Sequence, residues 1–427
     1  MPTMSRHEHL VDDSPDLSHA YRHNLTPHGV FCKMPKFQLK NLYYQGTLQD
    51  IPRQTSNRAC EKEMVGTRRW RSITTDPRFL GRFRAHHRKL PLLGAFEYIQ
   101  GDLVFTSLLD RPDRIPPGRF DLGRYSDHRD YGVLGFRHGR VLVLDHVRKD
   151  LVVCAPVTGE QRRVAVPPEF KTVHLNGAVL CAAGDPGHVH GECHSSPFKV
   201  ALVSLCRHDY RPLASVYSSD TGAWSNLVST AAPCQLFDAG MDGSLVGKAL
   251  YWLLTTMEAG IVEFDLEEQS LVVIKGPPVT DDFPGGGTHR IIQAEDGAVG
   301  FAMMSYPHFQ TWQRNVDAHG VATWVPWKTV DLRNIFGPRP QIGRTRRMAR
   351  LTRGWDYVKG TGGIMCYVED TDVIFIHTDV SVYMIQLNSM QSKSIPGKRF
   401  RSAYHPFMSF YTPGTAIAGG YNEDGDG

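Results

Sequence analysis

One phrase recurs beyond residue 90: an apolar strand, a short polar turn, a second strand, and often a Pro-Pro pair. It reads Cys154-Ala155-Pro156-Val157-Thr158-Gly159-Glu160 ahead of Val164 to Pro168, then Tyr217-Ser218-Ser219-Asp220-Thr221-Gly222-Ala223-Trp224, then Phe264-Asp265-Leu266-Glu267-Glu268-Gln269-Ser270 ahead of Leu271 to Pro278. A fainter copy is Gln386-Leu387-Asn388-Ser389-Met390-Gln391-Ser392-Lys393. A sheet-sized unit repeated every ~40 to 60 residues predicts small antiparallel sheets stacked around an axis, a β-propeller of about six or seven four-stranded blades. Each such sheet buries its two faces only against its neighbours, so repetition is itself the stabilising device.

The runs between the turns support strands over helices. They are short, rich in β-branched and aromatic residues, and bounded by Gly, Pro, Asp and Asn. Examples are residues 141–144, 151–154, 199–205, 214–217, 250–254, 260–264, 271–274, 299–304, 373–376 and 382–385. The Thr-Gly and Glu-Gln corners suit hairpins, since Gly tolerates positive φ. Closure of the ring is expected where residues 404–411 return beside residues 91–108. The predicted organisation is residues 1–60 disordered, 61–90 a pair of short helices, 91–415 the propeller and 416–427 a disordered tail.

Composition narrows the class. At 427 residues, 41% of them hydrophobic and 10% aromatic, the chain has ample material for a large all-β core. A net charge of +4 is small for this length, so nothing global calls for nucleic acid or an acidic membrane. The first residues form no apolar leader and no run reaches the ~18 apolar residues of a membrane span, so a soluble, cytoplasmic or nuclear protein is expected. The eight cysteines are scattered with no Cys-x-x-Cys pair, which fits reduced thiols.

Ahead of the strands lies a basic amphipathic stretch. Trp70 and Ile73 share a helical face, Thr75 or Asp76 is a good N-cap, and Pro77 sits at the first position of a second helix. There Phe79, Leu80 and Phe83 make an apolar stripe, while Arg78, Arg82, Arg84, Arg88 and Lys89 fill the remaining surface. The stripe either docks a partner or closes a small helical core against the next domain.

Residues 68–96 resemble the closing half of an F-box as found in plant proteins: a basic-Trp-Arg helix, an Asp-Pro-x-Phe restart, a short helix and an apolar exit strand. The repeat region is similar to the associated domain of the same proteins. This second resemblance rests on the Pro-x-Thr-Gly turn at 156–159, the Phe-Lys-Val-Ala-Leu-Val run at 198–203, the turn at 218–224 and the Ala-Leu-Tyr-Trp-Leu strand at 249–253. It rests also on Glu263-Phe264-Asp265-Leu266, Trp312 followed by Trp324-Val325-Pro326-Trp327, and Phe410-Tyr411-Thr412-Pro413. The resemblance implies a substrate-recognition subunit of an SCF-type cullin ubiquitin ligase, with Trp70, Ile73, Phe79, Leu80 and Phe83 touching the adaptor and the propeller holding an unidentified target protein. It departs from the pattern upstream: residues 1–60 contain no Leu-Pro pair and no Leu/Ile-rich helix. The alternative implied is a propeller interaction module that no longer recruits the ligase.

Other features carry less chemistry. Between Leu332 and Trp355 stand seven arginines and no acid. Arg344, Arg346, Arg347 and Arg350 are the candidates there for an acidic or phosphorylated partner, weighed against a solvated loop. Nucleic acid is disfavoured because aromatics are not interleaved. The stretch from Gly187 to His194 is rich in ligand types, but its spacing matches no zinc module and no second ligand pair is evident, so it reads as a solvated loop and no metal is assigned. Asp220 is expected to cap its turn, with Trp224 filling a groove between blades. Asp281 to Gly287 lacks the Lys-Ser/Thr of a phosphate loop. No catalytic motif is present and no cofactor is implied, so an enzyme is not expected; a propeller hydrolase is the third reading.

Overall fold

The computed structural model describes Arg78 and most of residues 90–409; within that range residues 100–101, 110–113, 127–129, 172–174, 184–187, 189, 191–192, 194–195, 207, 231–232, 234–241, 255–259, 279–287, 337–361, 379–380 and 396–403 are left out. The predicted helices around Trp70 and Phe79, and both predicted disordered ends, therefore lie outside the described residues.

Six antiparallel sheets follow one another along the chain. Blade 1 contains β1 (Leu92–Ile99), β2 (Asp102–Ser107) and, from the far end of the chain, β24 (Tyr404–Met408). Blade 2 is β3 (Tyr131–Arg137), β4 (Arg140–Asp145), β5 (Asp150–Ala155) and β6 (Glu160–Ala165). Blade 3 is β7 (Asn176–Cys181), β8 (Phe198–Leu205) and β9 (Pro212–Ser218), edged by the short β10 (Ala223–Trp224) and β11 (Val228–Ser229). Blade 4 is β12 (Ser244–Val246), β13 (Ala249–Leu253), β14 (Ile261–Asp265) and β15 (Ser270–Ile274). Blade 5 is β16 (Thr288–Gln293), β17 (Val299–Ser305), β18 (His308–Val316) and β19 (Ala322–Asp331). Blade 6 is β20 (Gly363–Val368), β21 (Val373–His377), β22 (Val382–Gln386) and β23 (Ser392–Ile395). The expected count of six or seven thus resolves to six.

The ring closes as expected. β24 pairs antiparallel with β1, with Phe96 opposite His405 and Ala95 opposite Pro406, so the last strand takes the innermost place of the first blade. It also touches both β3 and β20, the first strands of the blades on either side. Among the described residues blade 1 has three strands, β2-β1-β24; against β2 pack two 3-10 turns, Pro117–Phe120 and Gly123–Ser126, which bury Phe120 and Tyr125.

Side-chain alternation explains why the middle strands read as unbroken apolar runs. In β4 and β5, Val141, Val143, Val152 and Cys154 face blade 1, whereas Leu142, Leu151 and Val153 face blade 3. Both faces are interior, so both must be apolar. The same arrangement between each pair of neighbours gives six interblade cores, the last joining Ala95 and Tyr404 of blade 1 to Phe375 and Val382 of blade 6. Among the described residues, no helix is long and apolar enough to cross a membrane.

Four hairpin turns, three of them among the recurrent ones, share one geometry. The amides of Lys149, Gly159, Gly222 and Met390 bond back to the carbonyls of Asp145, Ala155, Ser218 and Gln386 at 2.9, 2.8, 2.9 and 2.8 Å. All four turn residues have φ between +54° and +78°. Only two of the four are glycine, so the fold tolerates a left-handed Lys and Met at a cost of about 1–2 kcal/mol each. In the 218–224 turn, the Thr221 hydroxyl, in place of the expected Asp220 carboxylate, accepts from the Ala223 amide at 3.3 Å.

Trp224 does fill the groove between blades. It lies against Phe170 and Tyr217 and donates its indole N–H to the Ala165 carbonyl of blade 2 at 3.0 Å. Trp324 on β19 repeats the device, donating to the Lys275 carbonyl beside β15 at 2.8 Å.

Gly94 is a place where no side chain fits. A Cβ there would run into the Thr106 carbonyl and the Phe105 ring. Gly94→Ala is expected to cost about 1–3 kcal/mol through overpacking, read as a lower urea midpoint with an unchanged slope.

Candidate functional site

The side chains predicted from sequence to meet partners lie outside the described residues: Trp70, Ile73, Phe79, Leu80 and Phe83 for the adaptor, and Arg344, Arg346, Arg347 and Arg350 for an acidic partner. Three other arrangements are visible.

The first ties the inner strands together across the blades. Arg137, the last residue of β3, donates from Nε and a terminal nitrogen to the two Glu369 oxygens at 2.9 and 2.5 Å, and to the Gly243 carbonyl at 2.7 Å. Glu369 also accepts from the Leu245 amide at 2.7 Å. Arg137 thereby joins blade 2 to blades 4 and 6. Beside it, His405 of β24 meets Asp242 at 3.2 Å and lies against the Phe136 ring. Burial and the Asp242 charge hold the Tyr98 hydroxyl above its usual pKa. Glu369 is met by a guanidinium and an amide, and Asp242 by an imidazole, an arrangement suited to holding strands in place.

The second is an outer surface. Val272 and Val273 of β15, Val316 at the end of β18, Val321 and Val325 are exposed at 44%, 38%, 57%, 56% and 43%, an unusual density of apolar side chains for solvated strands. Trp324 staples this part of β19 to blade 4, and Arg314 reaches Glu263 of β14 at 3.8 Å from the same hairpin. Burial raises the pKa of Glu263 from the ordinary carboxyl value, against the pull of Arg314. Pro326 sits in β19 beside a register shift, as suits an edge strand that need not donate a further ladder bond.

The third joins described residues of the Gly187–His194 stretch, expected from sequence to be a solvated loop, to the strand before it. Cys181, the last residue of β7, meets His188, His190 and Cys193, and their ligand-type atoms all lie within 4.8 Å of one another. Cys181 Sγ is 3.4 Å from His188 Nε2, which is 3.2 Å from Cys193 Sγ, which is 3.5 Å from His190 Nδ1. Cys193 is fully buried. The Cys193 hydrogen bond, with help from His190, draws the Cys181 thiol down to about 3 against the effect of burial.

Blade 2 supports this group. The His138 ring stacks on His190 at 3.6 Å, and its Nδ1 accepts the Cys181 amide at 3.0 Å. Burial, followed by the positive surroundings of His190, Arg137 and Arg140, holds His138 well below its usual pKa. Arg140 donates to the carbonyls of Cys193 and Ser196 from the floor of the site. Sequence inspection missed the group because Cys181 belongs to a strand and was not weighed with the loop that follows. Extending the window back by one element gives Cys-x6-His-x-His-x2-Cys. Glu192 and His194 of that stretch lie outside the described residues.

A closed six-bladed ring stapled at its axis and bearing its exposed apolar surface on outer strands defines a β-propeller. The chain belongs to the family described as F-box protein AT5G49610-like, beta-propeller, whose model matches residues 132–414. No curated protein matches the chain. Solved structures of similar fold include hydrazine synthase of Kuenenia stuttgartiensis, 10% identical with a TM-score of 0.36, covering 71% of this chain and 80% of that one. YCF48 from Cyanidioschyzon merolae is 12% identical with a TM-score of 0.36, covering 72% and 86%. The Dos1 propeller is 11% identical with a TM-score of 0.33, covering 72% and 69%. Likenesses this distant say nothing about activity.

Proposed function

We propose that this chain is a substrate-recognition subunit of an SCF-type cullin ubiquitin ligase, binding a target protein through its propeller. The observation that carries the reading is membership of the F-box β-propeller family over residues 132–414, preceded in the same chain by the F-box-like residues 68–96. The exposed valines of blades 4 and 5 support a protein partner, since exposed apolar side chains gain from being covered. Catalysis belongs to the partner subunits; this chain supplies proximity, keeping target lysines near the charged ubiquitin carrier.

The test is capture of purified adaptor by the full-length chain, beside a variant carrying Trp70→Ala, Phe79→Ala and Phe83→Ala. Wild type is expected to retain adaptor and the triple variant to lose it by tenfold or more, since truncating buried aromatic anchors commonly costs ~2 kcal/mol or more each. If folded wild type captures no adaptor, the chain is an interaction propeller detached from the ligase, as the missing Leu-Pro helix in residues 1–60 would explain. Charge reversal of Arg344, Arg346 and Arg347 should separately abolish target capture if those side chains form the target site, leaving adaptor binding intact.

A further inference from the structure

We propose that Cys181, His188, His190 and Cys193 form a structural zinc site that fastens the β7–β8 connection to blade 2. The inference is independent of adaptor and target binding.

Geometry comes first. A tetrahedral ion with Zn–S near 2.3 Å and Zn–N near 2.0–2.1 Å sets sulfur-to-nitrogen edges of about 3.5 Å. Three of the six edges are 3.4, 3.2 and 3.5 Å, and all four ligand atoms lie within 4.8 Å of one another, so small side-chain shifts would complete the tetrahedron. Two thiols and two imidazoles are the donor set that selects zinc over the hard, oxygen-seeking cations. Four protein donors are enough to fill a tetrahedron, which is the closed arrangement of a structural ion and would leave no place for a reactive water.

The surroundings fit the same assignment. Metal-bound groups are usually oriented by neighbours that are themselves held in place. Here the Cys181 amide is fixed by His138, the His190 ring is sandwiched against His138, and the Cys193 carbonyl is gripped by Arg140. Of the two holding residues, His138 lies in the β3–β4 turn and Arg140 opens β4, both of blade 2, so an ion bound by blade 3 ligands would pin one blade to the next.

The loop itself needs such a fastening. Residues 182–197 include Gly184, Asp185, Pro186, Gly187 and Gly191, and Val189 is the one large aliphatic side chain in the sequence of that range. A connection of this length is long for a propeller hairpin and lacks the apolar side chains that would anchor it. Metal ligation supplies the missing cohesion, as it does in small domains without a sufficient core.

The experiment measures metal in the full-length protein, purified under reducing conditions without chelator, by mass spectrometry of the elements. About one zinc per chain is expected. Cobalt(II) added to chelator-stripped protein should give the intense visible bands of a tetrahedral thiolate complex. Cys181→Ser should lose both signals, while Cys206→Ser, outside the cluster, should keep them. His138→Ala, which removes support and no ligand, should weaken zinc affinity by about 10–100-fold. Should the serine variant fail to fold, wild type answers alone: chelation should lower its melting temperature and added zinc restore it. Folded wild type that takes up neither zinc nor cobalt at stoichiometry overturns the proposal. So does a Cys181–Cys193 disulfide found in the reduced preparation, or a Cys181→Ser variant that keeps full zinc content.

Discussion

Ending the chain after residue 403 is expected to abolish the cooperative native melt altogether, because the last strand is the clasp of the ring. β24 contributes five residues, and three of them, Tyr404, His405 and Phe407, are almost fully buried. Phe407 lies edge-on to Phe96 at 5.4 Å and 5.2 Å from Phe120, at the centre of the core between blades 1 and 2. Tyr404 packs on Phe375 at 5.1 Å in the core between blades 6 and 1. Removing the strand therefore opens two interblade cores together and leaves β1 with an unpaired edge. Phe407→Ala alone should cost about 3–5 kcal/mol, a large share of the 5–15 kcal/mol typical of a folded domain. Differential scanning calorimetry decides the matter: a surviving single transition near the wild-type temperature would show that closure lies elsewhere.

How much of this was legible beforehand depends on which side chains carry the signal. Closure near 404–411 could be read because the segment carries Tyr, Phe and Met side chains and lies at the end of a repeat that must meet its beginning. The middle strands were legible for a similar reason: both faces are interior, so β4, β8, β13 and β21 announce themselves as runs of aliphatic and aromatic residues. Outer strands were much fainter. β6 reads Glu-Gln-Arg-Arg-Val-Ala and β23 Ser-Lys-Ser-Ile, because one edge of each has only water beside it and little side-chain surface is covered. Strand propensity there comes from the neighbour, not from the residue.

The functional arrangements were less legible still, since they are built from residues far apart. Trp224 could be foreseen as an interblade filler because a lone Trp beside a turn has few other uses, but its acceptor, Ala165, lies 59 positions away. The Cys/His group joins the end of a strand to the loop beyond it, so no window on the loop alone contains all four side chains. Arg137 and Glu369 stand 232 positions apart and follow no local pattern. Only ring closure brings them together.

Arg137→Met is expected to destabilise the protein by about 3–5 kcal/mol, nearly as much as removing a core aromatic ring. Arg137 is 8% exposed and Glu369 20%, so neither charge is well hydrated. Taking away the guanidinium leaves the Glu369 carboxylate with the Leu245 amide but without its cation, and leaves the Gly243 carbonyl short of a donor. The penalty arises from the charge left behind, not from the attraction lost. The double variant Arg137→Met, Glu369→Met should accordingly be more stable than Arg137→Met alone, because no unpaired charge is then left buried, although the Gly243 carbonyl and the Leu245 amide each lose a partner. Urea midpoints of the two single variants and the double close the cycle and give a coupling energy of several kcal/mol. Additive effects would place the pair in a hydrated channel with no energetic bearing on the ring. A strong coupling would make it the axial fastening of blades 2, 4 and 6, complementing the hydrophobic interfaces that join each blade only to its immediate neighbours.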